Sequence, residues 1–313
     1  MADELGVSET TDSSLVAPKL TDAPLHEEEM LGQDAFEPAA AAAMHGDLSG
    51  SADSPLATSF IYAVGRIEPE YPSLAVEKEL AQVAGRSDTV GLTDTDVLRT
   101  VLADRENRYL ARQLAWVLTV ESLETYLLLP RDPADVDVLI EALRSPPRRD
   151  DVDVVVGVRG PLASPEMARG LVVPIVYFDQ IYSFDTESLV RAIPRPDEVR
   201  DETFRSSSLE LFERMRQIAD NAGGTNEHRA LNYLAVCYPR IYADAAEALA
   251  RNETLSSVDV RRSRLGGETR TIVDVVFNYT DRATDVTTSN FVRVDVTEEF
   301  PFLVTKLSPY FYR

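Results

Sequence analysis

Hydrophobic and polar positions alternate with a period of two near the end of the chain. In residues 289–297, valines occupy one face of an extended segment, and polar or aromatic residues occupy the other. This alternation is typical of a strand with one buried face. Residues 271–280 are β-branched and aromatic, and residues 255–262 and 300–307 have weaker strand patterns. Turn-forming residues separate these segments, so they predict an antiparallel meander.

Helical periodicity precedes this sheet. Residues 209–222 have apolar side chains at helical spacing, with Ser208 as the predicted N-cap and a Gly-Gly pair after the end. Thr225 predicts the start of another helix, which Pro239 interrupts and which resumes to about residue 250. Helices next to a half-buried sheet are its natural cover. The pattern therefore predicts an α+β fold, with an antiparallel sheet meander packed against helices in two subdomains.

The first half of the chain mixes short strand and helix patterns. Residues 60–64 predict a strand that ends at Gly65, and residues 107–129 contain the strongest helix-like run, with strand character from Ser122 onward. A proline-rich segment at 193–196 indicates a boundary. Three regions are predicted: an acidic and flexible tail (1–57), an N-terminal α/β subdomain (58–196), and C-terminal helices plus an antiparallel sheet (197–313).

Charge is distributed unevenly along the chain. The net charge is −22, and residues 1–57 contain twelve acidic residues against one basic residue, Lys19. That segment has few large apolar residues, a composition typical of segments that do not form a packed core. We interpret it as a solubilising tail, with docking onto the body or a partner as the alternative. The acidic body argues against binding of nucleic acid or of an anionic membrane.

The chain has one cysteine, and its sequence shows neither a long apolar run nor the features of a signal peptide. A cytoplasmic location is the expectation. The candidate nucleophile and base, Cys237 and His228, are nine residues apart in one predicted helix. That spacing places them on opposite faces and more than about 10 Å apart. The sequence thus predicts no catalytic residues, no metal site and no cofactor.

With no catalytic, metal or cofactor site predicted, the remaining candidate binding features are the strand edges, tyrosines and arginines. They suit an extended peptide that adds to the sheet as a further strand. We expect contacts from the outward face and edge around Arg293 and Tyr279, and from a helix face with Arg229, Asn232 and Tyr233. Polar groups on that helix face are equally well explained as helix-to-sheet hydrogen bonds.

Several segments resemble the region beyond the protease in cyanobactin maturation proteins of the PatA/PatG type. The resemblance extends over about residues 60–313 and is carried by the segments 65–75, 107–114, 158–161, 178–184, 227–235, 292–297 and 300–310. It implies a role in the biosynthesis of ribosomally synthesised, post-translationally modified peptides. Stand-alone relatives, as in crocagin-type pathways, imply binding of a precursor peptide. Some cyanobactin-type relatives are associated with zinc, and the single cysteine, Cys237, argues against a cysteine-based version of such a site in this chain.

Two hypotheses about function follow. The first is a non-catalytic protein that binds a precursor peptide and presents it to other biosynthetic enzymes of the pathway. The alternative is a cryptic peptide-modifying enzyme, a cyclase or hydrolase, of the same pathway. A homodimer is a further possibility that the sequence leaves open.

Overall fold

The structure is a computed structural model that describes residues 59–85, 91–144, 146–218, 220–267 and 269–311. The predicted tail, 1–57, lies outside the described residues. The helices are α1 (Leu74–Ala84), α2 (Asp94–Ala103), α3 (Arg108–Ala111), α4 (Val136–Ala142), α5 (Thr186–Ala192), α6 (Asp201–Arg216), α7 (Asn226–Cys237) and α8 (Arg240–Ala250). The strands are β1 (Phe60–Glu70), β2 (Ala115–Val120), β3 (Leu123–Pro130), β4 (Asp151–Leu162), β5 (Pro174–Asp185), β6 (Glu253–Arg262), β7 (Ile272–Asp281), β8 (Thr287–Asp295) and β9 (Phe302–Pro309). The predicted α+β class is confirmed.

The first five strands form a closed barrel in the order β1-β2-β3-β5-β4. Neighbouring strands are antiparallel except β3 and β5, which run parallel with Leu127 opposite Ile175. One core cluster takes residues from all five strands, for example Ile61, Trp116 and Phe178, and continues into α1–α4. Because every strand contributes to it, this cluster marks the interior of the barrel. The first four helices therefore complete the barrel core.

The helix predicted from residue 107 is wrong beyond its first turn, whereas the strand character predicted from Ser122 onward is confirmed by β3. The chain forms the short α3 and then turns into β2, where Trp116 and Leu118 face the barrel interior. Val117 packs in a separate cluster on the other side of the strand. With both faces buried, the apolar run has no period-two signal and resembles a helix. The indole N–H of Trp116 donates to the carbonyl of Ala111 at 2.8 Å, next to the end of α3.

Strand β1 also differs from the prediction, because it continues through Gly65 to Glu70. A Cβ atom at Gly65 would lie 2.5 Å from the carbonyl oxygen of Thr119 in β2. The glycine thus permits close approach of two paired strands and does not end the strand. Helix α6 likewise begins earlier than predicted. Ser208 is fully buried in its middle, and the apolar face already starts at Phe204.

The C-terminal strands form the predicted meander, in the order β6-β7-β8-β9. Val292, Val294 and Val296 are buried against the helices, as their alternation predicts. The start of α7 after Thr225 and the break at Pro239 are also as predicted. None of the helices in the described part of the chain is long and apolar enough to cross a membrane.

Helix α7 lies between the barrel and the C-terminal sheet. A single core cluster includes Tyr62 of β1, Leu231 and Leu234 of α7, and Val275 of β7. This cluster spans the predicted boundary at residue 196. The division into 58–196 and 197–313 stays a prediction.

A pair of buried asparagines joins α7 to the barrel. Asn232 and Asn221 exchange side-chain amide hydrogen bonds at 2.8 and 3.1 Å, and Asn232 also donates to the Tyr62 carbonyl at 2.8 Å. The backbone N–H of Tyr62 in turn donates to the Gly223 carbonyl. Gly223 has φ of +71°, and a Cβ atom there would lie 2.3 Å from the Tyr62 carbonyl oxygen. Only glycine fits this approach without strain.

Two carboxyl groups, those of Asp179 in the barrel and Glu299 in the loop between β8 and β9, interact with each other and with one arginine. Arg131, after β3, forms ion pairs with Asp179 of β5 and with Glu299 of the loop. Burial and the hydrogen bond with Asp179 raise the pKa of Glu299 to about 7. Protonated Glu299 donates a hydrogen bond to Asp179, whereas ionised Glu299 places two carboxylates together beside one arginine.

Asn232→Leu should lower the free energy of unfolding by about 2–4 kcal/mol, because it leaves the Tyr62 carbonyl and the Asn221 amide without their partner. The matched control is Asn226→Leu, at an exposed position of the same helix, with an expected change within about 0.5 kcal/mol. Chemical denaturation measures both variants. Equal unfolding midpoints for the two variants would contradict the role of the asparagine pair.

Glu299→Gln should flatten the dependence of stability on pH. The pKa of Glu299 is raised in the folded state, so its favourable contribution is present at acidic pH and is lost as pH rises through about 7. Denaturation at pH 5 and pH 8 should show a drop in stability for the wild type and a smaller drop for Glu299→Gln. Glu298→Gln, at an exposed neighbouring position, should behave as the wild type does.

Candidate functional site

The C-terminal sheet has two edges, β6 and β9, and they differ in how far they are covered. At β9, the backbone N–H of Leu307 donates to the hydroxyl of Tyr238 at 3.0 Å. The backbone N–H of Leu303 donates to the hydroxyl of Tyr233. Side chains from α7 and its C-cap thus take up donors that an added strand needs. This edge is therefore protected against strand addition.

The β6 edge is more open. The guanidinium of Arg214 in α6 donates to the Leu255 carbonyl at 2.8 Å, and a β-bulge follows between Leu255 and Ser257. Beyond that point, residues 256–262 have no neighbouring strand on their outer side within the described ranges. Seven residues of strand correspond to about 24 Å of free edge. Val258 and Val260 face the helices there and are only partly buried.

A groove between α6 and α8 leads toward the start of β6. Its wider part has a volume of about 550 Å³ and is lined by Glu198, Glu202 and Leu249, among others. Leu249 also lines a narrow slot of about 20 Å³ that reaches Leu255 and Tyr279. The slot therefore lies at the N-terminal end of β6, next to the free part of its edge.

The side chain of Tyr279 is 1% exposed, and its hydroxyl interacts with the side chain of Asp244. The neighbouring carboxylate of Asp244 is also buried and accepts from the Asn290 amide at 2.9 and 3.0 Å. Burial, followed by the Asp244 charge, raises the pKa of Tyr279. Burial also raises the pKa of Asp244. Tyr279 therefore remains a neutral phenol at physiological pH.

Arg229 and Asn232, two of the predicted peptide contacts, are buried in α7. Arg229 donates to the carbonyls of Val296, at 2.7 Å, and of Glu298 and Glu299. Its guanidinium also stacks on Phe60 at 5.2 Å, and burial lowers its pKa to about 10. The alternative interpretation, hydrogen bonds between the helix and the sheet region, is what the structure shows for Arg229. Asn232 bonds instead to the barrel.

Tyr233, the third residue of that predicted helix face, is partly buried, and its hydroxyl accepts the hydrogen bond from Leu303 of β9. Its ring packs edge-on against Tyr62 at 6.2 Å, and burial raises its pKa to about 12. Tyr62 also approaches the thiol of Cys237, with 3.4 Å between oxygen and sulfur. Burial raises the pKa of Cys237, which disfavours the reactive thiolate.

Arg293 and Tyr279 lie on opposite faces of the sheet, which corrects the expectation of one shared face. Tyr279 faces the helices. Arg293 lies on the outer face in a central strand, where it donates to Asp274 at 3.0 Å and stacks on Phe291 at 4.6 Å. Phe291 contacts Tyr310 edge-on. Arg293 is therefore part of an arginine–aromatic layer that covers the outer face of β7.

The five predicted residues thus occupy separate places and do not form one site. Sequence reasoning missed the groove residues Glu198, Glu202 and Leu249, because the groove forms only when α6 packs beside α8. The weak alternation of residues 255–262 was a usable signal, since edge strands are often half-exposed on both faces. No group of three or more histidine, cysteine, aspartate or glutamate side chains is arranged for a metal ion among the described residues.

Comparison with known proteins relates this architecture to one family. Residues 198–310 match the family model described as PatG C-terminal. Among solved structures, the chain is similar to one described as "PatG Domain of Unknown Function", with 20% sequence identity and a TM-score of 0.66. That match covers 80% of this chain and 98% of the other. No curated protein matches the chain.

The family match includes α6–α8 and the whole C-terminal sheet, and so contains both the β6 edge and the slot. Before residue 198, the similarity to the solved structure shows a shared fold. The resemblance noted in the sequence is confirmed for the matched region, and the chain carries a PatG C-terminal-like domain over residues 198–310.

Proposed function

We propose that this protein binds an extended precursor peptide along the outer edge of β6 and presents it to other enzymes of a pathway that modifies ribosomal peptides. The observation that carries the proposal is the edge at residues 256–262, beside which no strand of the described part of the chain lies. The opposite edge of the sheet is capped by tyrosine hydroxyls. An added strand gains main-chain hydrogen bonds from such an edge whatever its sequence.

Side chains along β6 supply selectivity in this proposal. Val258 and Val260 are half-buried toward the helices, so peptide residues on that side gain by being apolar. Asp259 and Arg261 lie on the outer face, where charged or polar peptide residues are favoured. The expected peptide therefore alternates apolar and polar residues.

The pathway assignment is supported by the PatG C-terminal match and by the PatG structure of similar fold. Of the residues predicted from the sequence, Tyr279 borders the proposed site through the slot. Arg293 is proposed as a contact only for a partner on the outer face, where its side chain is 23% exposed. Arg229, Asn232 and Tyr233 contribute indirectly, by holding α7 against the barrel and the sheet.

A cryptic peptide-modifying enzyme is the second candidate, and one observation favours it. Glu299 has a pKa raised to about 7 beside Asp179, which is the property of a general acid or base at neutral pH. Both carboxyl groups are partly exposed, with side-chain exposures of 15% and 26%.

If a peptide adds to the sheet as a strand, amide hydrogens should be protected from exchange at the β6 edge and not at the β9 edge. Ten-residue peptides are selected from a random displayed library against the full chain, and hydrogen–deuterium exchange is measured with and without the tightest binder. Exchange at residues 256–262 should slow, because free edge amides become hydrogen-bonded. Residues 303–309 of β9 are the internal control and should not change. Failure to select any peptide, or protection that omits β6, would contradict the proposal.

Methylation of the peptide backbone tests the same binding mode independently. In an added strand, the N–H groups of alternate residues face β6, so N-methylation should weaken binding at every second position. Fluorescence anisotropy of singly methylated peptides measures the effect. Equal losses at all positions, or none, would exclude strand addition.

The enzyme hypothesis predicts a covalent change. The purified protein is incubated with the selected peptide and with the precursor encoded beside its gene, and both are analysed by mass spectrometry. A mass change that disappears in Glu299→Gln but persists in Glu298→Gln would establish the second candidate. Unchanged masses with all three proteins would count against it.

A further inference from the structure

The end of β6 that leads into the hairpin with β7 carries arginines on both faces of the strand. Arg261 and Arg262 are consecutive and exposed, so their side chains leave the strand on opposite sides. Arg262 is on the same side as Val258 and Val260, which pack toward the helices, and Arg261 is on the outer side. Arg264 follows in the turn and is also exposed. These guanidinium groups therefore gather positive charge at one end of the β6 edge, in a chain whose net charge is −22.

Hydrogen bonds in the hairpin hold the backbone from which these arginines project. The buried Ser263 donates its backbone N–H to the Ile272 carbonyl at 2.8 Å. Across the turn, the backbone N–H of Arg270 donates to the Gly266 carbonyl at 3.1 Å. A Cβ atom at Gly266 would lie 2.3 Å from the Arg270 carbonyl oxygen, so the two sides of the turn approach closely there. The backbone positions of the arginines are therefore defined before a ligand binds, which lowers the cost of binding.

The carboxylates near the hairpin are hydrogen-bonded to other side chains. Three of them on the outer face accept from donors of their own at 2.7 to 3.0 Å: Asp259 from Asn278, Asp274 from Arg293, and Asp295 from Arg270. Arg262 lies opposite the apolar Val273 of β7. Neither Arg262 nor Arg264 forms an ion pair with another residue of the described ranges. Both guanidinium groups are therefore accessible to an anionic partner.

Arg261 is held on the outer face by an aromatic ring. Its guanidinium lies 4.9 Å from the centre of the Tyr310 ring and donates to the Tyr310 hydroxyl. A guanidinium has five N–H donors in a planar fork, so this bond leaves other donors for a carboxylate. Both faces of the strand thus present a guanidinium at the hairpin end.

We propose that the hairpin end of β6 binds carboxylates, so that the peptide held along this edge has consecutive acidic residues at the end beside Arg262 and Arg264. This inference rests on the proposed function, because it needs a guest strand next to β6. Directly opposite residues of paired strands have Cβ atoms about 5 Å apart. One acidic residue of the guest therefore reaches Arg262 on the helix side, and the next reaches Arg261 on the outer side.

The position of the arginines also relates the direction of the guest to its sequence. An edge strand pairs with either a parallel or an antiparallel partner. A peptide that is acidic at its N-terminus lies antiparallel to β6, and one that is acidic at its C-terminus lies parallel, because the acidic end is attracted to the hairpin in both cases. At the other end of the strand, Glu253 is paired with Arg251 at 3.0 Å and adds no attraction for acidic residues.

Three designed peptides test this specificity. Each has blocked termini and the central segment Thr-Val-Thr-Val-Thr-Val. One has Glu-Glu before this segment and Gln-Gln after it, one has the reverse, and one has Gln-Gln at both ends. Affinities for the full chain are measured by ligand-observed NMR.

The peptide with N-terminal glutamates should bind about fivefold more tightly than the glutamine peptide, because cross-strand pairs of opposite charge stabilise strand pairing. A stronger gain from C-terminal glutamates would also support the proposal and would indicate a parallel guest. No gain from either glutamate peptide, or no binding by any of the three, would overturn the proposal.

Removal of the arginine charges locates the effect. In the double variant Arg262→Gln/Arg264→Gln, the gain from glutamates should fall to within about twofold. The control is Arg282→Gln, an exposed arginine in the hairpin at the opposite end of the same sheet, which should retain the full gain. High salt should also reduce the gain in the wild type, because it screens exposed charges. Thermal unfolding checks that the variants fold, and Arg264→Gln alone replaces the double variant if it does not. A gain that persists in the folded variant would overturn the proposal.

This test and the test of the proposed function fail separately. If a peptide from the displayed library protects residues 256–262 while the glutamate peptides show no gain, strand addition is retained and the acidic specificity is rejected. If the glutamate peptides bind through Arg262 and Arg264 but leave exchange at residues 256–262 unchanged, the carboxylate site is retained and strand addition is rejected.

Discussion

The burial of α7 between the barrel and the C-terminal sheet is the constraint on which the rest of the structure depends. A helix in that position has polar side chains in a dry environment, and each of them needs a partner. Asn232 donates a hydrogen bond to a backbone carbonyl of β1, and Arg229 donates to three backbone carbonyls just after the end of β8. These bonds point in different directions from one helix. They therefore hold the barrel and the sheet in a defined relation.

The same helix makes the two edges of the sheet unequal. Tyr233 on α7 and Tyr238 at its C-cap satisfy backbone donors of β9. On the other side, α6 offers Arg214 to the first part of β6 alone. The packing of the helices thus places side-chain hydroxyls on backbone donors of β9, whereas residues 256–262 of β6 have no neighbouring strand on their outer side among the described residues.

The remaining polar side chains of the C-terminal sheet lie either on its outer face or on the face toward the helices. On the outer face, arginines pair with aspartates and stack on aromatic rings, so that the face is covered by its own side chains. Toward the helices, the Tyr279 hydroxyl is buried beside the Asp244 carboxylate, with which it interacts. The two faces of the sheet therefore differ, because charged side chains cover the outer face whereas the other face is buried against helices.

Local patterns in the sequence determined the meander, the helix start at Thr225 and the break at Pro239, because a half-buried strand and a capped helix leave a periodic signal in neighbouring residues. They did not determine the closure of the barrel, which requires β3 to pair in parallel with the distant β5. They also predicted a helix in place of β2, because both faces of this strand are buried and its sequence therefore does not alternate between apolar and polar residues. The destination of each side chain was decided by tertiary structure alone: Tyr279 enters a slot, and Arg229 reaches carbonyls 67 to 70 residues away. The periodicity of apolar residues indicates which positions are buried. The hydrogen-bond partner of a buried polar side chain, in contrast, depends on which distant part of the backbone the fold places beside it.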